Sequence, residues 1–255
     1  MKIKDLYKFL NEKYPKSLSC EWDNDGIMCI SDEEREVKKV LVCLDVTEKA
    51  AEYAIGNGYD TIISHHPLVF KPLKGIDPEN NVSRKLIKLI KNDVSVLSFH
   101  TRLDAADGGV NDAISEKIGL SDVKCFGSEG IDMGRIGNLD KECEFEQFIQ
   151  ELKKTFNCPS VTAVKVRDFV SKVAVLGGEG KDFYNSAKAA GADTFITGDA
   201  SYNFLSDSSE YSVNVICLGH FYSEDVVCKN LNDQIKTADR SICVNYFYSN
   251  NVLIY

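Results

Sequence analysis

The chain has 255 residues, of which 44% are hydrophobic and 27% charged, with a formal net charge of −9 at pH 7. This length suits one large α/β domain or two joined lobes, and it supports a core without disulfides or structural metal. No apolar run approaches the roughly 20 residues that cross a bilayer, and the acidic balance disfavours a broad nucleic-acid surface. Because no signal-peptide core follows Met1, we expect a cytoplasmic protein that does not associate with membranes.

Strands and helices are predicted to alternate along the chain. The apolar runs 38–46, 60–66 and 94–100 have the pattern of buried strands in a parallel sheet. A helix capped by Thr47 and an amphipathic helix over 81–93 separate these strands. A second set of strands and helices follows in the same alternation. The pattern predicts an α/β fold with mostly parallel sheets layered by helices.

The two sets of elements resemble each other. AIGNGYDTIISHH at 54–66 and AKAAGADTFITGD at 187–199 share a helix, a glycine turn, Asp-Thr, apolar positions and a polar strand end. We interpret this as two related α/β lobes. The first lobe is predicted over 1–125 and the second over 126–235, with the C-terminal 236–255 packing back on the first.

The cysteines do not indicate a metal or redox motif. There are nine, an odd number, and they are scattered along the chain. No C-x-x-C pair occurs, so neither a zinc ribbon nor a thioredoxin-like motif is supported. We expect the cysteines to be reduced and structural.

All four histidines lie where a predicted strand ends. They are His65, His66, His100 and His220. Ligands of open α/β sheets bind beyond the carboxyl ends of the strands. A single histidine there would be an ordinary loop residue, but four at such positions favour metal binding or catalysis.

Two of these histidines are adjacent, in ISHHP. On a regular strand His65 and His66 would point to opposite faces of the sheet. Pro67 disfavours helical geometry at His66 and cannot continue a central strand. The strand is therefore predicted to end near His65, where the backbone can direct both imidazoles to one site.

Carboxylates accompany two of the strand ends. His220 and Glu224 are four residues apart at the start of a predicted helix, which places both on one helical face. His100 and Asp104 have the same spacing, but HTRLDAADGG has the composition of a loop, where Asp104 could be a turn residue. Five candidates exceed the ligand number of one catalytic zinc ion: His65, His66, Asp104, His220 and Glu224. They suit two ions about 3.5–4 Å apart that share a carboxylate.

Two further motifs leave alternatives open. GGEG, residues 177–180, follows a strand, so its backbone N–H groups could face an anion or could form a plain tight turn. EWDNDG contains the single tryptophan, Trp22. We interpret Trp22 as a partly buried structural residue, with stacking on a base as the alternative.

Several motifs together resemble one family. WDNDG, ISHHPLVF, HTRLDAADGGVND, GGEG, TGD and GHFYSE occur in the order seen in the NIF-three-like family, also labelled GTP cyclohydrolase 1 type 2. The resemblance spans nearly the whole chain, without the extra middle domain of some relatives, and Asp199 stands where TGE is common. It implies a dinuclear metal site in the cleft between two α/β lobes and a ring-shaped homohexamer. The metal ligands implied are His65, His66, Asp104, His220 and Glu224.

The resemblance also implies an activity. We expect a metal-dependent hydrolase acting on a nucleotide or phosphorylated small molecule, with GTP as the candidate that the family label names. Imidazole and carboxylate ligands suit two divalent ions of zinc, iron, manganese, nickel or cobalt. The alternative is a non-enzymatic, metal-dependent regulatory or metal-handling protein that binds partners through a homo-oligomeric ring.

His100 lies outside the implied ligand set. We predict a catalytic role for it, either shuttling a proton to substrate or acting through Asp104 by orienting that carboxylate. The alternative is a strand-end histidine that bonds to a backbone carbonyl.

Overall fold

A computed structural model describes residues 1–128 and 130–254. The helices, in chain order, are α1 (Ile3–Lys13), α2 (Glu48–Gly56), α3 (Asn81–Lys91), α4 (Thr101–Ala105), α5 (Val110–Ile118), α6 (Phe145–Phe156), α7 (Tyr184–Ala189), α8 (Tyr202–Ser208), α9 (His220–Glu224) and α10 (Val227–Ala238). The strands are β1 (Gly26–Cys29), β2 (Lys39–Cys43), β3 (Thr61–Ser64), β4 (Ser95–Ser98), β5 (Ser121–Ser128), β6 (Ile131–Glu144), β7 (Thr162–Val164), β8 (Phe169–Glu179), β9 (Thr194–Asp199), β10 (Asn214–Cys217) and β11 (Cys243–Tyr246). Within the described ranges no helix is both long and apolar enough to cross a membrane.

The chain divides into two compact units. Unit 1 comprises Met1–Leu103 and Val227–Asn251, and unit 2 comprises Asp104–Val226 with the described residues that follow Asn251. The sequence placed the boundaries near 125 and 235 instead. Helix α5 belongs to unit 2 because it packs on β6 and β8, whereas α10 belongs to unit 1 because it packs on α1, β2 and β11. Glu129 and Tyr255, which fall within the lobes predicted from the sequence, lie outside the described residues.

Unit 1 contains a five-stranded sheet in the order β1-β4-β3-β2-β11. Strands β4, β3, β2 and β11 are parallel neighbours, and β1 pairs antiparallel with β4 at the edge. Leu41 and Ile62 of the sheet are packed with Ala50 of α2 and Leu89 of α3 in one apolar cluster. Thr47 caps α2 as predicted, since its side chain accepts a hydrogen bond from the backbone N–H of Ala50 at 3.1 Å.

Unit 2 contains a six-stranded sheet in the order β5-β6-β8-β9-β10-β7. Its centre, β8-β9-β10, is parallel, while β5, β6 and β7 join by antiparallel pairing. The α/β class with two sheets layered by helices is thus confirmed, and the second sheet is mixed. Strand β5 ends at Ser128 and β6 begins at Ile131, which leaves too few residues for the crossover that a parallel pair needs, so the two strands pair antiparallel.

The two units contain the same local hydrogen-bonding arrangement. Asp60, just before β3, accepts hydrogen bonds from the backbone N–H groups of Lys38 and Lys39 at 2.8 and 2.7 Å. Asp193, just before β9, accepts them from Ser171 and Lys172 at 2.9 and 2.7 Å. Each carboxylate fixes the start of its own strand against the neighbouring one. The similarity read from the two Asp-Thr segments therefore extends to their contacts.

Candidate metal centre

His65 and His66 follow the last residue of β3, as the sequence predicted. Nδ1 of His65 lies 2.9 Å from the backbone oxygen of Phe99, and Nδ1 of His66 lies 2.8 Å from Oδ1 of Asp45. The partners come from the ends of β4 and β2, the two strands that flank β3. The two rings stay close, with centroids 5.0 Å apart. Adjacent histidines are thus oriented separately, by neighbours on opposite sides of their strand.

His100 follows β4 and is oriented by a buried carboxylate. Its Nδ1 lies 2.8 Å from Oδ1 of Asp23, whose other oxygen accepts hydrogen bonds from the backbone and hydroxyl of Thr101 at 3.0 and 2.6 Å. Burial acts to raise the pKa of Asp23, but the hydrogen bonds from His100 and Thr101 outweigh it and lower that pKa to about 2. Asp23 is therefore ionised at neutral pH and holds the imidazole in place.

The three imidazoles of unit 1 form a cluster. One ligand atom from each of His65, His66 and His100 lies within 4.8 Å of the others, which is compatible with a shared metal ion. His65 is fully buried, and the other two are partly exposed. The structure thus brings together two of the implied ligands with a histidine that the family pattern leaves outside the ligand set.

In unit 2, His220 and Glu224 form the ends of the short helix α9. Nε2 of His220 lies 3.0 Å from Oε2 of Glu224, so the spacing of four residues does place both on one face. Nδ1 of His220 lies 2.9 Å from Oδ2 of Asp199, which shows that the shorter carboxylate of TGD reaches the ring. Burial acts to lower the pKa of His220, but the hydrogen bonds to Asp199 and Glu224 outweigh it and raise that pKa to about 11.

Asp104 is buried in α4, a short helix where the sequence indicated a loop. The helix ends on a tertiary contact: the buried guanidinium of Arg135 donates to the backbone oxygens of Ala105 and Ala106 at 3.1 and 3.3 Å. Carbonyl groups at a helix C-terminus lack partners within the helix, and Arg135 supplies them. The loop interpretation of HTRLDAADGG was wrong for 101–105, because the partner that closes this helix lies far along the chain, and it holds for 106–109.

The residues 177–180, which we name the glycine turn, comprise the end of β8 and the residue that follows it, and the glycine N–H groups point into the protein rather than towards an anion. Three of their N–H groups are engaged within unit 2. Gly177 donates to Oδ1 of Asn111 at 2.8 Å, Gly178 to Oγ of Ser223 at 3.4 Å, and Gly180 to Oγ1 of Thr197 at 2.9 Å. The turn instead supports Glu224. Gly178 has φ of +66°, and a Cβ there would lie 2.5 Å from Oε1 of Glu224. Only glycine permits both this backbone conformation and this close approach.

One feature is common to all four histidines. Each has Nδ1 against an acceptor, which is the backbone oxygen of Phe99 or the carboxylate of Asp45, Asp23 or Asp199. Such an acceptor fixes the ring orientation and the tautomer, so that Nε2 is the nitrogen that can take the role of metal ligand. Metal-binding histidines almost always have this arrangement.

The sequence did not identify these orienting acceptors. Asp45 lies just beyond the end of β2, so the strand-end rule that selected the histidines would also have selected it. Asp23 is separated from His100 by 77 residues and gives no local signal. The interpretation of Trp22 as partly buried was also wrong, because its side chain is 64% exposed.

The structure places the implied ligands in both units. His65 and His66 lie in unit 1, whereas Asp104, His220 and Glu224 lie in unit 2. Each unit thus presents imidazole or carboxylate side chains at or beyond the ends of its parallel strands. A fold and a residue set of this kind define a candidate metal-binding α/β protein.

Comparison with known families identifies which one. The chain belongs to the DUF34/NIF3 (NGG1p interacting factor 3) family, whose family model matches residues 1–251. The resemblance drawn from the sequence motifs is therefore confirmed.

Individual relatives cover most of the chain. A protein of Clostridium perfringens named GTP cyclohydrolase 1 type 2 homolog is 34% identical over 241 residues, 92% of each chain. One of the same name from Clostridium acetobutylicum is 33% identical over 230 residues, which are 88% of this chain and 85% of the relative. The crystal structure of the Staphylococcus aureus protein SA1388 has a TM-score of 0.91 at 27% identity and covers 100% of this chain and 99% of its own.

Proposed function

We propose that this protein is a metal-dependent hydrolase that acts on a nucleotide or phosphorylated small molecule. Two divalent transition-metal ions would be held by five side chains, His65, His66, Asp104, His220 and Glu224. The observation that carries the proposal is the acceptor at Nδ1 of every histidine, because an orienting partner at the other ring nitrogen is what a metal-binding imidazole needs. Imidazole and carboxylate donors fit zinc, iron, manganese, nickel or cobalt.

Different side chains of the protein would bind the ions, orient the ligands and transfer a proton. Two bound ions supply Lewis acidity and lower the pKa of a water molecule. Asp45 and Asp199 hold the rings of His66 and His220 in fixed orientations. His100 is oriented by the ionised Asp23 and is the group proposed to move a proton at Nε2.

The nucleotide part of the proposal comes from the relatives. Both clostridial proteins carry the name GTP cyclohydrolase 1 type 2 homolog, which makes GTP the first substrate to test. The reaction would be hydrolytic opening of the imidazole ring of the base.

Metal analysis tests the first part of the proposal. Protein purified without chelator, or reconstituted with each of the five metals, is expected to hold two ions per chain by elemental analysis. Glu224→Ala should lower the occupancy, whereas Glu21→Ala, which removes an exposed carboxylate, should not. No stoichiometric metal with any of the five ions, or equal losses in the two variants, contradicts the ligand assignment.

A substrate screen with metal-loaded protein tests the second part. Consumption of GTP or of another nucleotide, abolished by chelator and restored by metal, is the expected result. The family description, NGG1p interacting factor 3, favours the second candidate, a metal-dependent protein that binds partners without catalysis. Metal binding without turnover of any nucleotide or phosphorylated compound would leave that candidate in place of the hydrolase.

We further propose a homohexameric ring, as the family resemblance implies. Sedimentation equilibrium of the metal-loaded protein is expected to give six times the chain mass of 28.4 kDa. A monomer or dimer over a wide concentration range contradicts the ring.

A further inference from the structure

Two exposed aromatic side chains border the histidine cluster of unit 1. Trp22 is 64% exposed and Phe70 is 45% exposed, although both are large apolar residues. Their ring centroids are 6.0 Å apart with an interplanar angle of 75°. Each also lies about as far from the imidazole of His100, at 6.1 Å for Trp22 and 6.0 Å for Phe70. The two aromatic rings and the imidazole thus form one group.

The exposed tryptophan sits on a rigid segment. Asp23, the next residue, is anchored by three hydrogen bonds from His100 and Thr101. Asn24 donates to the backbone oxygen of Val69, which ties the tryptophan segment to the residue before Phe70. Both aromatic rings are therefore carried by backbone that the fold holds in place. A preorganised aromatic pair gives up little conformational entropy when a ligand binds.

We propose that Trp22 and Phe70 form a binding surface for the flat nitrogen-containing ring of a nucleotide base. Two rings close to perpendicular let a planar base stack on one while its edge meets the face of the other. Stacking on aromatic side chains is the sequence-tolerant way in which proteins hold nucleobases. His100 adjoins both rings, so a base held there lies next to the group proposed to move a proton. The inference rests on the proposed hydrolase and assigns its base-binding residues.

The single tryptophan gives a direct test. Fluorescence excited selectively at tryptophan reports on Trp22 alone. We expect saturable quenching of the full-length, metal-loaded protein by GMP, AMP or CMP and none by ribose 5-phosphate, which lacks a ring. Phe70→Ala should lower the affinity for the tightest-binding nucleotide about tenfold, which is the effect of losing one base–aromatic stack. Tyr202→Ala, which removes an aromatic side chain that is 81% exposed, should leave the affinity unchanged.

Calorimetry extends the test to Trp22 itself. Trp22→Ala is expected to weaken nucleotide binding by a similar factor, and Trp22→Phe to restore most of it, because phenylalanine keeps a stacking face. Circular dichroism and thermal melting confirm that each variant is folded.

Three results would overturn the proposal. The first is that none of the three nucleotides quenches the fluorescence, and the second is that Phe70→Ala has an unchanged affinity for nucleotide. The third is that Trp22→Ala has an unchanged affinity for nucleotide but an altered oligomer mass in sedimentation. The last result would assign this surface to contacts between copies of the chain.

The inference and the proposed function fail separately. Two bound ions and unaltered hydrolysis kinetics in Trp22→Ala would leave the hydrolase in place without this base site. Nucleotide binding by a protein that takes up no metal would support the base site and contradict the hydrolase.

Discussion

Asn111 joins the backbone of Asp104 to the glycine turn that supports Glu224. Its Nδ2 donates to the carbonyl oxygen of Asp104 at 3.0 Å, and its Oδ1 accepts from the N–H of Gly177 at 2.8 Å. The Asn111 side chain is fully buried and also donates to the carbonyl oxygen of Met133 at 3.0 Å. One amide therefore positions the backbone that carries Asp104 and the glycine turn that contacts Glu224.

Replacing Asn111 by leucine should damage both stability and metal binding. The substitution removes the Asn111 hydrogen bond from the buried carbonyl of Asp104 and from the N–H of Gly177, at a cost of about 1–3 kcal/mol each. The carbonyl of Met133 keeps its second hydrogen bond, from Nη1 of Arg135 at 3.2 Å. Urea denaturation of the metal-free protein measures that loss, and competition with a chelator measures the metal affinity. Ser115→Ala is the control, since it removes a hydrogen bond from the same helix, from the Ser115 hydroxyl to the backbone oxygen of Asn111. Equal metal affinity in the two variants contradicts the positioning role.

Gly178→Ala should weaken metal binding through Glu224. A methyl group at this position meets Oε1 of Glu224 at 2.5 Å, so the carboxylate must move. Disturbing the groups that support a ligand typically costs 10–100-fold in metal affinity, which we expect here by chelator competition. Gly58→Ala is the matched control, because Gly58 has the same φ of +66° but has no atom within 4 Å of the added Cβ. Any effect that both variants share reports backbone strain rather than contact with Glu224.

His100→Asn is expected to keep most of the bound metal and to lose most of any hydrolytic turnover. Removing a general acid–base typically lowers the rate about 10²–10⁴-fold. Elemental analysis and single-turnover kinetics on a verified substrate separate the two effects. Turnover at the parent rate with normal metal content would make His100 structural. Loss of both ions would make it a metal ligand, as its place in the cluster with His65 and His66 allows.

Arg102→Met should destabilise the protein by about 3–5 kcal/mol, because it removes the buried guanidinium that binds both oxygens of the buried Asp25 carboxylate. Arg102 and Asp25 have fully buried side chains, with Nε 2.7 Å from Oδ2 and Nη2 3.0 Å from Oδ1. Lys165→Met, which breaks a surface ion pair with Glu146, should cost no more than about 1 kcal/mol. Denaturant unfolding at neutral pH measures both. Similar losses in the two variants would contradict a special role for the buried pair.

The same pair predicts a dependence of stability on pH. Burial acts to raise the pKa of Asp25, but hydrogen bonds from Arg102 and Lys16 outweigh it and place the pKa below its ordinary value of 3.8. A lowered folded-state pKa contributes stability that is present above the unfolded pKa and is lost as pH falls through the folded one. The difference in free energy of unfolding between the parent and Asp25→Asn should therefore shrink as the pH drops below 3.8. A difference that stays constant from neutral pH to well below that value contradicts the assignment.

The sequence by itself determined the features that depend on local chemistry. Alternating apolar runs gave the parallel strands of unit 1, and Thr47 capped α2 where its side chain predicted it. Histidines at strand ends were recognisable because the carboxyl edge of a parallel sheet is where side chains converge. The contact between His220 and Glu224 followed from helical geometry, since residues four apart share a face.

The tertiary structure alone decided which groups orient the histidines and which surfaces stay exposed. Asp23 reaches His100 across 77 residues of sequence, and Arg135 closes α4 from a distant strand. Trp22 is exposed, although tryptophan side chains are usually at least partly buried. The glycine turn directs the N–H groups of Gly177 and Gly180 into the protein. These contacts join residues that are far apart in the sequence. A buried polar group forms a hydrogen bond with whichever partner the fold brings within about 3 Å. Local preference therefore predicts where the ligands lie, and packing determines what holds them.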